Sequence, residues 1–186
     1  ASLLAPLQNG QRARLVAAMA EVERLFNASA TAIERVDPAS AEVSRCLEQY
    51  FAELVARFEA GFDPGSMSVN ATEELKPPHG AFLVARLDGE PVACGAVRTW
   101  SPGVAELKRM WVAPELRGSG LGSRMLGALE REAAALGLGT VRLETNLALA
   151  EAQAMYRAHG YEAIEPFSGD PYADLGFERE LGAEIG

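Results

Sequence analysis

Along the chain, apolar positions switch between a spacing near 3.6 and a spacing near 2, and the switches mark out the elements. Leu15, Val16, Met19, Val22, Leu25 and Phe26 recur at helical spacing, which predicts an amphipathic helix over 11–26. The β-rich run 31–36 predicts a first strand. Asp37-Pro38 then reads as an N-cap followed by a proline at the first helical position. Val43, Leu47, Tyr50, Phe51, Leu54, Val55 and Phe58 continue as a second helix, closed at Gly61. Proline and glycine crowd 62–80, so that stretch reads as a loop with one short helical turn near 72–75. Strands are predicted at 81–87 and 91–100, joined through Asp88-Gly89, a strong hairpin signal. Gly95 inside the second marks a bulge or a close approach. A third strand of this group spans 104–112 and ends at Ala113-Pro114, because proline lacks the N–H of a strand ladder. Leu121, Met125, Leu126, Leu129, Ala133 and Leu136 form a helical stripe, with Gly137 at its left-handed cap. The remainder predicts a strand at 140–145, a helix at 149–159 capped by Gly160, a strand from 161 to 164, and its hairpin partner at 177–181.

The most informative junction joins strand 104–112 to the helix after it. Between them runs Arg117-Gly118-Ser119-Gly120-Leu121-Gly122. The first N–H groups of a helix have no internal partner, and the helix dipole adds partial positive charge there. Glycines let a ligand approach the backbone closely, so this is a ready anion site, with Arg117 as a further positive charge. A P-loop would need a Gly-Lys-Ser/Thr ending, which is absent. A dinucleotide fingerprint would need a third glycine where Ser123 stands, and a shorter spacer than 113–116. Arg-x-x-Gly-x-Gly is satisfied by Arg117, Gly120 and Gly122.

That loop resembles the acetyl-CoA pyrophosphate loop of the GNAT superfamily of N-acetyltransferases. Its flanks agree. Glu106-Leu107-Lys108-Arg109-Met110-Trp111-Val112 is similar to the strand before the loop in bacterial members. Leu143-Glu144-Thr145-Asn146 and Ala154-Met155-Tyr156-Arg157-Ala158-His159-Gly160-Tyr161 resemble the family's second half. The resemblance covers roughly 81–181. It implies an α/β (α+β) fold: a mixed central sheet of about six or seven strands, splayed between the fourth and fifth and flanked by helices. Acetyl-CoA would lie in the splay. Its pantetheine would pair with the backbone of Met110, Trp111 and Val112. Its pyrophosphate would take N–H bonds across Gly118, Ser119, Gly120, Leu121, Gly122 and Ser123, beside Arg117. Asn146 is expected to contact the cofactor where many relatives carry an asparagine at the position of Glu151.

The stretches 3–7, 14–19 and 22–25 resemble the last helices of MarR-type winged-helix regulators. The expected division is therefore an N-terminal helix over 1–27, as the remnant of an upstream domain, and an acetyltransferase domain over 28–186. A plain N-terminal helix or a dimerisation arm stands beside that reading.

Composition narrows the partners. Of 186 residues, 48% are hydrophobic and 23% charged, ordinary for a globule with one full core. A net charge of −9 argues against a general nucleic-acid surface and is compatible with a cationic acceptor. No apolar run approaches a membrane span and no signal peptide is visible, so a cytoplasmic protein is expected. Cys46 and Cys94 lie in apolar patterns and read as buried small hydrophobes, with no metal site assigned. His79 reads as a solvated loop residue.

Acetyl transfer to an amine needs a base for the amine proton, a donor to the thioester oxygen and a proton for the leaving thiolate. Glu106 is the first candidate base, at the spacing from Arg117 where histone-acetylating relatives place a glutamate. An exposed strand glutamate paired with a neighbouring cation is the plain alternative. Glu144, ending the other splayed strand, is the second candidate. Tyr156 matches the family tyrosine that faces the coenzyme A sulfur as general acid. The resemblance implies an N-acetyltransferase with an unidentified primary-amine acceptor, and pairing of two domains is common in the family. A non-catalytic acyl-CoA sensor attached to a regulator is the alternative of another class.

Overall fold

A computed structural model describes residues 7–58, 61–63 and 73–182. The sheet grows from the hairpin predicted at Asp88-Gly89. Strands β2 (Gly80–Leu87) and β3 (Glu90–Ser101) pair antiparallel across it, with Asp88 and Gly89 both at positive φ. Strand β1 (Ala32–Val36) adds to the outside of β2, and β4 (Val104–Val112) to the other side of β3. Strand β5 (Thr140–Thr145) joins β4 in parallel, and β7 (Leu175–Glu180) and β6 (Glu162–Ile164) follow antiparallel. The result is one seven-stranded mixed sheet, ordered β1-β2-β3-β4-β5-β7-β6. The expected fold class holds, including the splay. Pairing of β4 with β5 runs from Val104↔Thr140 to Leu107↔Leu143 and stops. Beyond it β5 pairs only with β7, while β4 continues to Val112 against β3.

The fork coincides with an irregularity in β4. Cys94 faces Trp111 and Ala96 faces Lys108, so Arg109 and Met110 both stand opposite Gly95. Arg109 adopts φ +57°, the left-handed region that bulges use. Gly95 is also the close approach anticipated from sequence. A Cβ there would sit 2.7 Å from Leu129 Cδ1 on helix α3 (Leu121–Ala135).

Helix α3 covers one face of β2, β3 and β4, burying Leu121, Met125, Leu126, Leu129 and Ala133. Each such large side chain contributes roughly 1.5–3 kcal/mol by leaving water. Its C-terminus closes as predicted: Gly137 has φ +78°, Gly137 N–H donates to Ala134 O, and Leu138 N–H to Ala133 O. The same motif at Gly160 ends α4 (Ala150–Ala158).

Helix α2 (Ala41–Arg57) packs against β3 and β4. Cys46 and Cys94 are both free and fully buried, with their thiols in contact between α2 and β3. Two boundaries of α2 differ from expectation. Its N-cap is Ser40, whose hydroxyl accepts from Val43 N–H, a contact worth about 1 kcal/mol. Asp37 instead accepts from Ala39 N–H in the turn before it. The helix ends at Arg57, four residues before Gly61, which turns back with its N–H on Phe58 O. Of the predicted turn near 72–75, residues 73–75 form one turn of 3₁₀ helix and Thr72 lies outside the described residues. His79 is exposed.

Helix α1 (Asn9–Ala30) is longer than the predicted 11–26. Among the described residues its main contacts with the rest of the domain are near Leu116 and β2, and its buried residue is Ala28. Met19 (63% exposed) and Phe26 (70%) head a stripe of exposed apolar side chains. Residues 1–6, which carry part of the winged-helix resemblance, lie outside the described residues. No described helix is long and apolar enough to cross a membrane.

Candidate active site

The fork leaves a cleft on the side of β4 and β5 where they separate, and two connected cavities occupy it. The larger, about 460 Å³, runs between α2, the end of β4, the glycine loop and α4. The smaller, about 100 Å³, lies between β4, β5 and the connection from β6 to β7. They share Tyr50, Leu54, Met110, Leu149, Ala152 and Tyr156. Met110, Trp111, Val112, Arg117, Gly118, Gly120, Gly122 and Ser123 all line the larger cavity, so the structure brings most of the predicted cofactor residues together.

The anion site is built by the chain's own geometry. Gly118 and Gly120 both have positive φ, and a Cβ on either would meet nothing within 4 Å. Gly120 is the N-cap of α3 and offers no capping side chain, so the N–H groups of Leu121, Gly122 and Ser123 remain uncapped toward the cavity end. The Leu121 side chain points into the core, and Ser119 donates its hydroxyl to Leu116 O. Ser119 N–H also donates to Leu116 O, so of these two the Leu121 N–H is the donor left for a ligand.

Arg117 lies beside the glycine loop in the cavity wall, and its charge is paired. Its guanidinium donates to Glu53 and, through Nε, to Val112 O at 3.0 Å. Glu53 also accepts from Trp111 Nε1 at 3.1 Å and Arg57 Nη1 at 3.0 Å. Arg57 reaches across to Glu151 on α4 and to Ala148 O. The hydrogen bond from Arg57 draws the Glu151 carboxyl down to about 2. Two arginines and two glutamates thus form a neutral hub that ties α2 to α4 along the cavity wall. Glu53 and Arg57 were not singled out from sequence, because on a helix stripe they look like a solvated i, i+4 pair.

Tyr156 stands where the two cavities meet. Among the described residues its hydroxyl has only Met110 Sδ, at 3.9 Å, as an acceptor, and burial pushes the phenol up to about 12. Its ring packs on Tyr161 and Phe177.

The glutamates are placed differently. Glu106 is 2% exposed and lines neither cavity. Its carboxylate holds Arg98 and Lys108; the cation pairing of the plain alternative is present, but on a buried rather than an exposed glutamate. Glu144 does line the smaller cavity, with its oxygens taken by Phe167 N–H, Ser168 N–H and the Ser168 hydroxyl. Asn146 lies in the smaller cavity's wall, away from the glycine loop. Its amide donates to Tyr172 O at 3.0 Å and accepts from Ala148 N–H at 2.9 Å. Among the described residues no group of three or more His, Cys, Asp or Glu is arranged to hold a metal.

Comparison with known proteins decides the family. The Acetyltransferase (GNAT) family description matches residues 47–161, the span that carries the larger cavity, the glycine loop and most of the smaller cavity's lining. The chain belongs to the GNAT family. An IAA acetyltransferase of Azospirillum brasilense is 42% identical to this GNAT chain over 101 residues. That alignment takes in 54% of the chain and 65% of the relative, so the chain spans under two thirds of that relative's length. A GNAT-family acetyltransferase structure from Staphylococcus aureus matches with a TM-score of 0.68 at 17% identity, covering 81% of this chain and 99% of that one. The yncA protein of Salmonella typhimurium, solved with its cofactor acetyl-CoA, matches with a TM-score of 0.62 at 17% identity, covering 84% and 97%. These two structures speak for the fold.

Proposed function

We propose that this GNAT domain is a cytoplasmic N-acetyltransferase that passes the acetyl group of acetyl-CoA directly to a primary amine. One observation carries the reading: an anion-ready helix start and a second, smaller cavity meet at Met110 and Tyr156. In this reading the diphosphate takes the uncapped N–H groups at Gly120–Ser123, and the pantetheine amides lie along the free edge of β4 at Met110–Val112. The neutral amine attacks the thioester carbonyl, whose oxygen draws on a backbone N–H of that edge. Collapse breaks the carbon–sulfur bond, and the Tyr156 hydroxyl gives its proton to the departing thiolate. The new amide nitrogen sheds its extra proton, which restores Tyr156. Glu106 reaches the smaller cavity only through Lys108, and Glu144 has its oxygens occupied; both therefore serve the fold in this scheme.

Titration calorimetry tests the binding half. Coenzyme A is expected to bind and NAD to give no heat. Gly120→Glu places a carboxylate against the diphosphate and should abolish binding, whereas Gly120→Gln carries the same backbone strain without the charge and should retain it. Absence of heat with coenzyme A would overturn the proposal.

The second reading, an acyl-CoA sensor joined to a MarR-type regulator, has α1 in its favour. A helix whose first three turns are exposed on every side needs a neighbour, since isolated helices of that length are marginal in water. We place the upstream winged-helix half against the Met19 and Phe26 stripe. Coenzyme A binding without thiol release across a panel of amines would favour this sensor.

A further inference from the structure

The acceptor side holds a carboxylate that the sequence did not single out. Asp170 lies in the connection between β6 and β7 and lines the smaller cavity. Its position is fixed from its own loop: its N–H donates to Ser168 Oγ at 3.2 Å, and Oδ1 accepts from Tyr172 N–H at 2.9 Å. Among the described residues no hydrogen bond or ion pair is made by Oδ2. Glu144, the other carboxylate in this wall, is saturated by the 167–168 backbone and Ser168. Lys108 is committed to Glu106, and Arg109 is already engaged. Asp170 is thus the anion of this cavity with capacity to spare.

Aromatic rings line the same cavity. Phe58, Phe62 and Tyr172 pack as a triangle of rings, with centroids 5.6 Å, 4.8 Å and 6.1 Å apart. Tyr50 adds a fourth ring to the cavity. A carboxylate and clustered rings in the wall of one cavity suit an ammonium attached to a flat apolar body: the charge pairs with the carboxylate and the body stacks on the rings.

We infer that Asp170 anchors the ammonium of an arylalkylamine acceptor, with Phe58, Phe62 and Tyr172 receiving its ring. This rests on the acetyl-transfer reading and names the acceptor class for it. The bound ammonium gives one proton to the Asp170 carboxylate, leaving a neutral amine and a carboxylic acid. The amine lone pair then forms the new carbon–nitrogen bond, and Asp170 returns its proton to water. A polyamine would leave its second charge without an anion, because Glu144 is occupied.

Phenethylamine is the probe, titrated calorimetrically into the full chain with and without saturating coenzyme A. Wild type is expected to bind it, and Asp170→Asn to bind it roughly tenfold or more weakly, the loss of one charge-assisted pair. The asparagine keeps an oxygen for Tyr172 N–H, so its melting temperature should match wild type. Phe62→Leu should weaken phenethylamine and leave putrescine, which has no ring, unchanged. Failure of phenethylamine to bind wild type, or equal affinity in Asp170→Asn, overturns the inference. Equal binding of putrescine and phenethylamine overturns the aromatic assignment. Asp170-dependent amine binding in a protein that gives no heat with coenzyme A keeps this site and removes the acetyl-transfer reading instead.

Discussion

Replacing Tyr156 by phenylalanine separates chemistry from folding more sharply than any other change in the cleft. The hydroxyl has one acceptor, a thioether sulfur 3.9 Å away, and thioethers accept weakly. The ring contacts with Tyr161 and Phe177 survive the substitution. The stability cost should therefore stay below about 1 kcal/mol, a shift of no more than about 4 °C in melting temperature for a domain of this size. Activity should respond very differently. If the hydroxyl protonates the leaving thiolate, its loss removes a general acid worth about 10²–10⁴ in rate, or roughly 3–5 kcal/mol of barrier. Burial lifts this phenol to about 12, so it stays protonated through neutral and mildly alkaline pH. The wild-type profile should show no alkaline fall from this group until roughly pH 11, and the variant should run parallel and lower. The assay is thiol release from acetyl-CoA with phenethylamine as acceptor, beside a thermal melt of the same preparation. Turnover within about threefold of wild type, at an unchanged melting temperature, would refute the acid role.

Gly95→Val should destabilise the domain by about 1–3 kcal/mol in urea unfolding, because its first carbon already falls 2.7 Å from Leu129 Cδ1. Glu106→Gln should cost about 1–3 kcal/mol by leaving Lys108 beside a neutral group, Arg98 keeping its pair with Glu74, while the folded fraction keeps its turnover; full stability in urea with lost turnover would restore Glu106 as the base. Glu151 has a carboxyl drawn from 4.5 to about 2 by Arg57. Its contribution to stability is complete above about pH 4.5 and fades as pH falls toward 2, so Glu151→Gln should flatten the acid limb of a melting-temperature profile in that window.

Much of the fold was legible because periodicity and punctuation agreed. Asp88-Gly89, Gly137 and Gly160 each needed a left-handed backbone, and each marks its turn or helix end. The glycine loop was legible for the same reason, since positive φ at Gly118 and Gly120 is a local demand. What failed was chemistry assembled from afar. The partner of Arg117 was not legible because Glu53 lies 64 positions away. The burial of Glu106 was not legible because strand alternation does not reveal that Arg98 and Lys108 converge on it. Asp170 sat in an irregular connection with no motif around it, and only the fold brings it into one cavity with Phe58 and Phe62. The cap of α2 was misplaced by three residues, since Asp37 and Ser40 are both good caps and the turn between them decides.

The bulge at Arg109–Met110 has a consequence for the wall of the larger cavity. A strand sends successive residues to opposite faces, so whether a residue points in or out is a matter of odd or even count. One additional residue resets that count for everything downstream. Deleting it would swing the indole of Trp111 to the far face, away from Glu53, and leave that carboxylate to the two arginines alone. The contact of the Trp111 indole with the charged hub therefore depends on the parity of a single strand, reset at the bulge immediately before that residue.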